Sequence, residues 1–189
     1  CFIIKGGYNL SLAMNNLEIG IKKVISNDID LNVQNRIAAI VGPNSSGKTT
    51  LTVAIGQIAY LASAGLPVPA QYVKLPLFMT IKTLFPSPEN VGEMNEFLGS
   101  TSEIDAMNLY GKILPVIAEK HSYCIFVTFI NGIQNSQYIK TYSAVIPLDD
   151  PAAKTFVFHE GKSSIINYAL LLARHYNILY EKPAEGESK

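Results

Sequence analysis

The run Ile37-Ala38-Ala39-Ile40-Val41 is apolar without a break, which suits a short strand buried on both faces. Beyond the polar stretch that follows it, Leu51, Ile55, Ile58 and Ala62 recur at helical spacing. Gly65 ends that helix, and Pro67 and Pro69 prevent its resumption. Residues 77–84 read as a strand rich in apolar and β-branched residues, broken by Pro86, Pro88 and Asn90. Ile104, Met107, Tyr110, Leu114 and Ile117 trace the apolar face of a second helix, with Thr101 or Ser102 as its cap and Asp105 near its first turn. Pro115 falls inside that helix, removes one hydrogen bond and crowds the Gly111 carbonyl, so a bend is expected. Residues 123–130 form a further buried strand, closed by the turn signal Asn131-Gly132. Two more strands are expected at 142–148 and 155–158, joined by Asp149-Asp150-Pro151, with Pro147 marking an edge or an end. Ser163 or Ser164 caps a last helix, from Ile165 to about His175.

The two ends carry weaker patterns. Residues 1–24 read as β-rich or irregular: Phe2-Ile3-Ile4 is apolar, Gly6-Gly7 marks a turn, and Lys22-Lys23 is a solvated face. By local chemistry alone Asn27 and Asp28 are turn residues whose side chains bond nearby backbone. The tail 181–189 is charged, has no core residue and is expected to fray. Residues 1–180 then make one domain, without an internal repeat.

Composition narrows the classes. Of 189 residues, 48% are apolar, which excludes wholesale disorder and allows a substantial core. The formal net charge of zero gives no global pull toward nucleic acid, so a DNA contact would need a local patch or another domain. Cys1 and Cys124 make neither a disulfide framework nor a metal site, and Cys124 lies in an apolar run that suits a buried thiol. His121, His159 and His175 lack metal-ligand spacing. There is no signal peptide and no membrane-spanning run, which makes a cytoplasmic location the default expectation. A first residue of cysteine reads as a fragment of a longer protein.

The polar stretch between strand and helix is Gly42-Pro43-Asn44-Ser45-Ser46-Gly47-Lys48-Thr49, a match to G-x-x-x-x-G-K-[ST]. Such a loop must wrap a triphosphate with backbone N–H groups pointing inward, and Gly42 and Gly47 allow the wrap. Lys48 supplies a point charge for the β- and γ-phosphates, and the Thr49 hydroxyl is placed to ligate Mg²⁺. The helix N-terminus adds its dipole and unpaired N–H groups. Strand, glycine loop and helix in that order are the context the motif requires. ATP and Mg²⁺ are the expected cofactors, on Gly42, Pro43, Asn44, Ser45, Ser46, Gly47, Lys48, Thr49 and Thr50. Lys162-Ser163-Ser164 after Gly161 is loosely phosphate-friendly but lacks the rest of the motif.

Asn27-Asp28, the loop beginning Gly42-Pro43-Asn44, then Gln57, Gly65 and Val68-Pro69-Ala70 together resemble the ATPase domain of MutS-family proteins, with an N-D box before the loop and a Q…G…VPA pattern after it. The similarity extends more weakly to the C-terminus and is closer to the bacterial MutS-related ATPases. It implies an α/β P-loop NTPase of the ABC/MutS type, a mixed sheet flanked by helices. It adds Asn27 to the nucleotide-binding residues. It also implies a homodimer meeting head to tail across the nucleotides, with DNA contacted by domains outside this stretch.

Met94-Asn95-Glu96-Phe97 with Ser100-Thr101-Ser102 and Asp105 resembles the family's Walker B end and the loop after it. Glu96 then takes the place of the catalytic glutamate, and Asn95 that of the aspartate that supports Mg²⁺. An amide oxygen carries no charge, so Mg²⁺ would be held less tightly. Residues 126–130 resemble the strand before the switch loop, with Phe129 where mismatch-repair proteins have histidine. Slow or partner-dependent hydrolysis is the expectation; the alternative is a nucleotide-binding switch or dimerisation module without turnover. A small kinase ranks behind both, for want of an acceptor signature.

Between Asn90 and Met94 the family has a signature helix and a central strand, for which this chain has no room. A sheet lacking the strand beside its phosphate site would leave backbone groups unpaired, so an absent segment is expected there. A contrary arrangement, with residues 123–127 directly beside Ile37–Val41 and Thr128 at the γ-phosphate, would displace the assignment of Asn95 and Glu96.

Overall fold

The computed structural model describes residues 1–21, 23–83, 103–128, 136–147, 149–150, 152–161, 168–176 and 178. Its elements in chain order are β1 (Phe2–Gly7), α1 (Leu10–Glu18), β2 (Asn27–Leu31), β3 (Ile37–Val41), α2 (Lys48–Ser63), β4 (Tyr72–Lys74), α3 (Glu103–Glu119), β5 (Cys124–Val127), β6 (Ile139–Ala144), β7 (Phe158–Glu160) and α4 (Tyr168–His175). The class is α/β, with strands gathered into two sheets.

The larger sheet has the order β5-β3-β6-β7. β3 runs parallel to both β5 and β6, and β7 returns antiparallel to β6, so the sheet is mixed. All five residues of β3 are buried. Ala38 and Ile40 face a core that includes Leu51, Ile55 and Ile58 of α2; Ile37, Ala39 and Val41 face a second core around Leu114 of α3. A strand covered on both faces needs an uninterrupted apolar run, which is what this pentapeptide supplies. Each fully buried isoleucine contributes roughly 1.5–3 kcal/mol.

The smaller sheet, β2-β1-β4, is antiparallel throughout. Phe2 and Ile4 of β1 and Ile29 and Leu31 of β2 join the α2-side core. The free side of β2 is closed by side chains from the other sheet. The Tyr142 hydroxyl bonds both the N–H and the carbonyl of Asp30, and Lys140 Nζ donates to the same carbonyl at 2.7 Å.

Several expectations are corrected. Gly6 and Gly7 lie in β1, at a register shift opposite Asn27, and do not form a turn between elements. Residues 10–18 are helical although no helix is expected before the phosphate loop. Asn27 and Asp28 are strand residues. No strand occurs over 75–83: Leu77 and Met79 are fully exposed, and the strand of that region is the earlier β4, recruited by pairing with β1. β6 starts three residues before the expected 142 and stops at Ala144, and β7 begins at Phe158, where a strand was expected to end. The helix with Pro115 is present, but Ile104 is exposed and not part of its apolar face.

The strand expected to be missing beside the phosphate site is also corrected. Both sides of β3 are paired, by β5 and by β6, so no orphaned backbone is left there. Neither neighbour of β3 is a strand ending in Asn95-Glu96. The junction 90–94, the caps at 101–102 and 163–164, Asn131-Gly132, Lys162 and the tail 181–189 fall outside the described residues.

Candidate functional site

β3 ends at Val41, and the chain winds through Gly42–Gly47 into the first turn of α2. The winding is tight. A Cβ on Gly42 would lie 2.7 Å from the Ala144 Cβ of β6 and 2.8 Å from Ser46 Oγ. Gly47 is the cap residue of α2 with φ 93, a left-handed conformation, and no side chain caps the helix. The first N–H groups of α2 therefore receive no side-chain oxygen at the cap, and the dipole's positive end faces the loop.

Two side chains in the loop bear on anion binding. Lys48 is 5% exposed, and its Nζ donates to the carbonyls of Gly42 at 2.9 Å and Pro43 at 2.7 Å. Burial lowers the pKa of its ammonium from the ordinary lysine value. Ser46 Oγ is buried without a hydrogen-bond partner. An unsatisfied buried hydroxyl costs about 1–3 kcal/mol, which an incoming phosphate oxygen would remove. Thr49 and Thr50, in the first turn of α2, are exposed, as are Asn44 and Ser45 in the loop, while Pro43 is half-buried. The glycine cradle, the uncapped helix and the orphaned hydroxyl together fit a polyphosphate. The described residues contain no group of three His, Cys, Asp or Glu side chains able to hold a metal, and of the two expected Mg²⁺ ligands they include Thr49 but not Asn95.

Beside the loop lies a cavity of about 790 Å³, lined among others by Asn9, Leu12, Ile25, Thr50, Leu51 and Phe156. Gly47 also borders it, so it continues directly from the phosphate loop. Its size and mostly apolar wall suit a planar organic group of nucleoside size or larger. A separate cavity of about 190 Å³, between α2 and the Phe2–Phe78–Tyr123 aromatic cluster, touches no loop residue.

The outer wall of the larger cavity is α1, fixed by polar contacts. Asn9 caps the helix by accepting from the Leu12 N–H at 2.9 Å. Gln57 of α2 accepts from the Leu10 N–H at 2.9 Å and donates to Ser11 Oγ at 3.0 Å. This gives Gln57 a structural task that the motif pattern did not specify.

Asn27 is brought to the site, but its amide is engaged with backbone. Nδ2 donates to the Phe156 carbonyl at 3.1 Å, and Oδ1 accepts from the Phe158 N–H at 2.7 Å. Phe156 has φ 57. The left-handed region costs a residue with a Cβ roughly 1–2 kcal/mol, so the surroundings must hold it. Its ring lies over Gly47, with Cδ1 3.1 Å from where a Cβ would stand. No sequence signal marks Phe156: read as part of a strand, it would point into the core.

At the other end of the loop, Thr128 is buried just past β5, its N–H donating to the Ile40 carbonyl at 3.2 Å and its side chain bonded to Tyr110. The positional half of the contrary arrangement is thus met: β5 lies directly beside β3. Asn95, Glu96 and Phe129 lie outside the described residues. His121, His159 and His175 are exposed. Cys124 is partly buried, and burial raises its thiol pKa. No helix of the described residues is long and apolar enough to cross a membrane.

No family model matches the chain. Individual proteins do. The DNA mismatch repair protein MutS of Fervidobacterium nodosum is 31% identical over 100 residues, 53% of this chain and 12% of that protein. The DNA mismatch repair protein MutS of Thermotoga maritima is 36% identical over 81 residues, 42% of this chain and 10% of that protein. The MutS protein homolog him-14 of Caenorhabditis elegans is 40% identical over 60 residues, 32% of this chain and 7% of that protein. The matched part thus spans 12% or less of the length of these relatives. The motif resemblance and these matches agree: over up to about half of its length the chain is similar to MutS proteins.

Proposed function

We propose that the chain is a MutS-type ATPase domain with the ABC/MutS form of the P-loop fold, binding ATP and Mg²⁺ on residues 42–50. The observation that carries the reading is the loop itself, wound between a doubly covered strand and an uncapped helix, with Ser46 Oγ buried and unpartnered. Lys48 would exchange its two carbonyl acceptors for phosphate oxygens, and Ser46 would donate to one. Thr49 would hold Mg²⁺, with Asn95 beside it and Glu96 orienting water, as the family resemblance implies. With β5 directly beside β3, Thr128 at the phosphate end of β5 is the rival to Asn95 and Glu96 at the γ-phosphate, and its presence there would displace them. Bound ATP with Mg²⁺ supplies the phosphoryl group whose hydrolysis these residues would assist. Two copies would meet across their nucleotides and relay that state to DNA-contacting domains.

Titration of purified chain with a fluorescent ATP analogue tests the reading. Lys48→Ala should abolish binding, and unchanged affinity in that variant would overturn it. Turnover that disappears in Glu96→Gln would establish the enzyme. A second reading, a switch with little turnover, draws on the uncharged Asn95 and on Phe129 at the position of the switch histidine. Binding without turnover, with and without DNA, is its expected result.

A further inference from the structure

Asn27 opens β2, at the register shift opposite Gly7. Its carboxamide acts as a substitute strand partner, satisfying one backbone group on each side of Val157. The segment it grips runs from residue 154 to 157 along the cavity wall. Thr155 Oγ donates to the Val145 carbonyl at 2.7 Å, and Val145 N–H donates to the Val157 carbonyl at 2.8 Å. Those bonds fix the two residues flanking Phe156. The Phe156 carbonyl itself is held by Asn27. With φ 57, Phe156 would leave its conformation if that hold were lost.

The ring so held has two sides. One rests on Gly47. At 43% exposure the remainder is open, and Phe156 borders the cavity together with Thr50 and Leu51. A flat apolar face next to a phosphate loop is a platform for a planar ring.

We propose that Asn27 is a positioning residue for the nucleoside half of the site: it borders the cavity itself, but its amide Nδ2 and Oδ1 are both committed to backbone, and it acts by holding Phe156 as the stacking face. The proposal rests on the nucleotide-binding reading above. It gives Asn27 an indirect task where the family resemblance gives it a direct contact.

The test compares two probes, ATP and inorganic tripolyphosphate, which has phosphates but no base. Affinities and melting temperatures are measured for the unaltered chain, Asn27→Ala, Phe156→Ala and the double variant. Each single variant should weaken ATP about ten-fold, the scale of a lost base–aromatic stack. Tripolyphosphate binding should not change, which a general loss of structure would not spare. The double variant should be no worse than the single ones, because both remove the same platform. If Asn27→Ala does not fold, Asn27→Asp serves: it keeps an acceptor for the Phe158 N–H and loses the donor to Phe156. Equal weakening of both probes, multiplied effects in the double variant, or unchanged ATP affinity in Asn27→Ala would each overturn the proposal while leaving the nucleotide reading intact. An unaltered chain that binds neither probe would remove both.

Discussion

The Tyr142 hydroxyl accepts a hydrogen bond from the Asp30 N–H at 2.7 Å and donates one to the Asp30 carbonyl at 2.9 Å. One side chain of the larger sheet thereby closes the edge of the smaller one, as a neighbouring strand would. Tyr142→Phe keeps the ring in the core and strips both bonds, leaving the Asp30 carbonyl only with Lys140. The expected loss is about 1–3 kcal/mol, read as a lower urea midpoint at unchanged slope. An unmoved midpoint would mean that the hydroxyl does not join the sheets.

The same hydroxyl should make the fold sensitive to alkali. Burial, chiefly, pushes the Tyr142 pKa well above the ordinary 10.0, against a smaller opposing effect from its bond to Asp30. The folded chain then holds a proton that the unfolded chain releases near its ordinary value. Stability from this group is complete below about pH 10, and falls as pH rises from there toward the folded-state value. Tyr110 is raised by burial in the same direction and adds to the slope. Urea titrations between neutral and strongly alkaline pH should show the decline, and Tyr142→Phe should flatten part of it.

Helix α1 buries only Ala13, so its attachment should depend on polar groups. Asn9→Ala removes the cap at a cost of about 1 kcal/mol. Gln57→Ala removes the acceptor for the Leu10 N–H and should cost about 0.5–1.5 kcal/mol. Hydrogen exchange should accelerate across 10–18 in both variants while β3 and α2 keep their protection. Uniform acceleration across the chain would contradict this local role.

Gly47→Ala tests the loop from its other side. The new methyl group would have to adopt φ 93 and press on the Phe156 ring. Destabilisation of roughly 1–2 kcal/mol is expected from the conformation alone. Nucleotide binding should fall at least as far as in Phe156→Ala, because ring and loop are displaced together. A variant that binds ATP normally would show that the contact is slack.

What could be read from the sequence followed how local its cause was. β3, the loop and α2 were legible because the apolar pentapeptide, the glycines and the helical spacing act within a few residues. The helix stop was legible too: Leu66 N–H reaches the Leu61 carbonyl and Gly65 N–H the Ala62 carbonyl, the pattern that Gly65 makes easy. α1 was hidden because its stability comes from Asn9 and Gln57 more than from a buried stripe. Residues 77–83 looked like a strand by composition, but β1 had already taken Tyr72–Lys74 as its partner. In the candidate site the phosphate loop was plain. Family resemblance tied Asn27 to the loop, and the structure sets it at the cavity that Gly47 borders, although local chemistry made it a turn residue. Phe156 could not be found, because a left-handed phenylalanine held from across the chain leaves no trace in its neighbours.

β3 is flanked on both sides by strands from much later in the chain. Pairings of such long sequence separation form slowly, after a large loss of loop entropy. On the ribosome the phosphate loop emerges before Ala144, against which Gly42 packs, has been made. A chain released before β6 would carry the whole motif without the sheet that shapes it. Truncations ending before and after β6 should therefore differ sharply in protease resistance around residues 37–48, though both contain the loop intact.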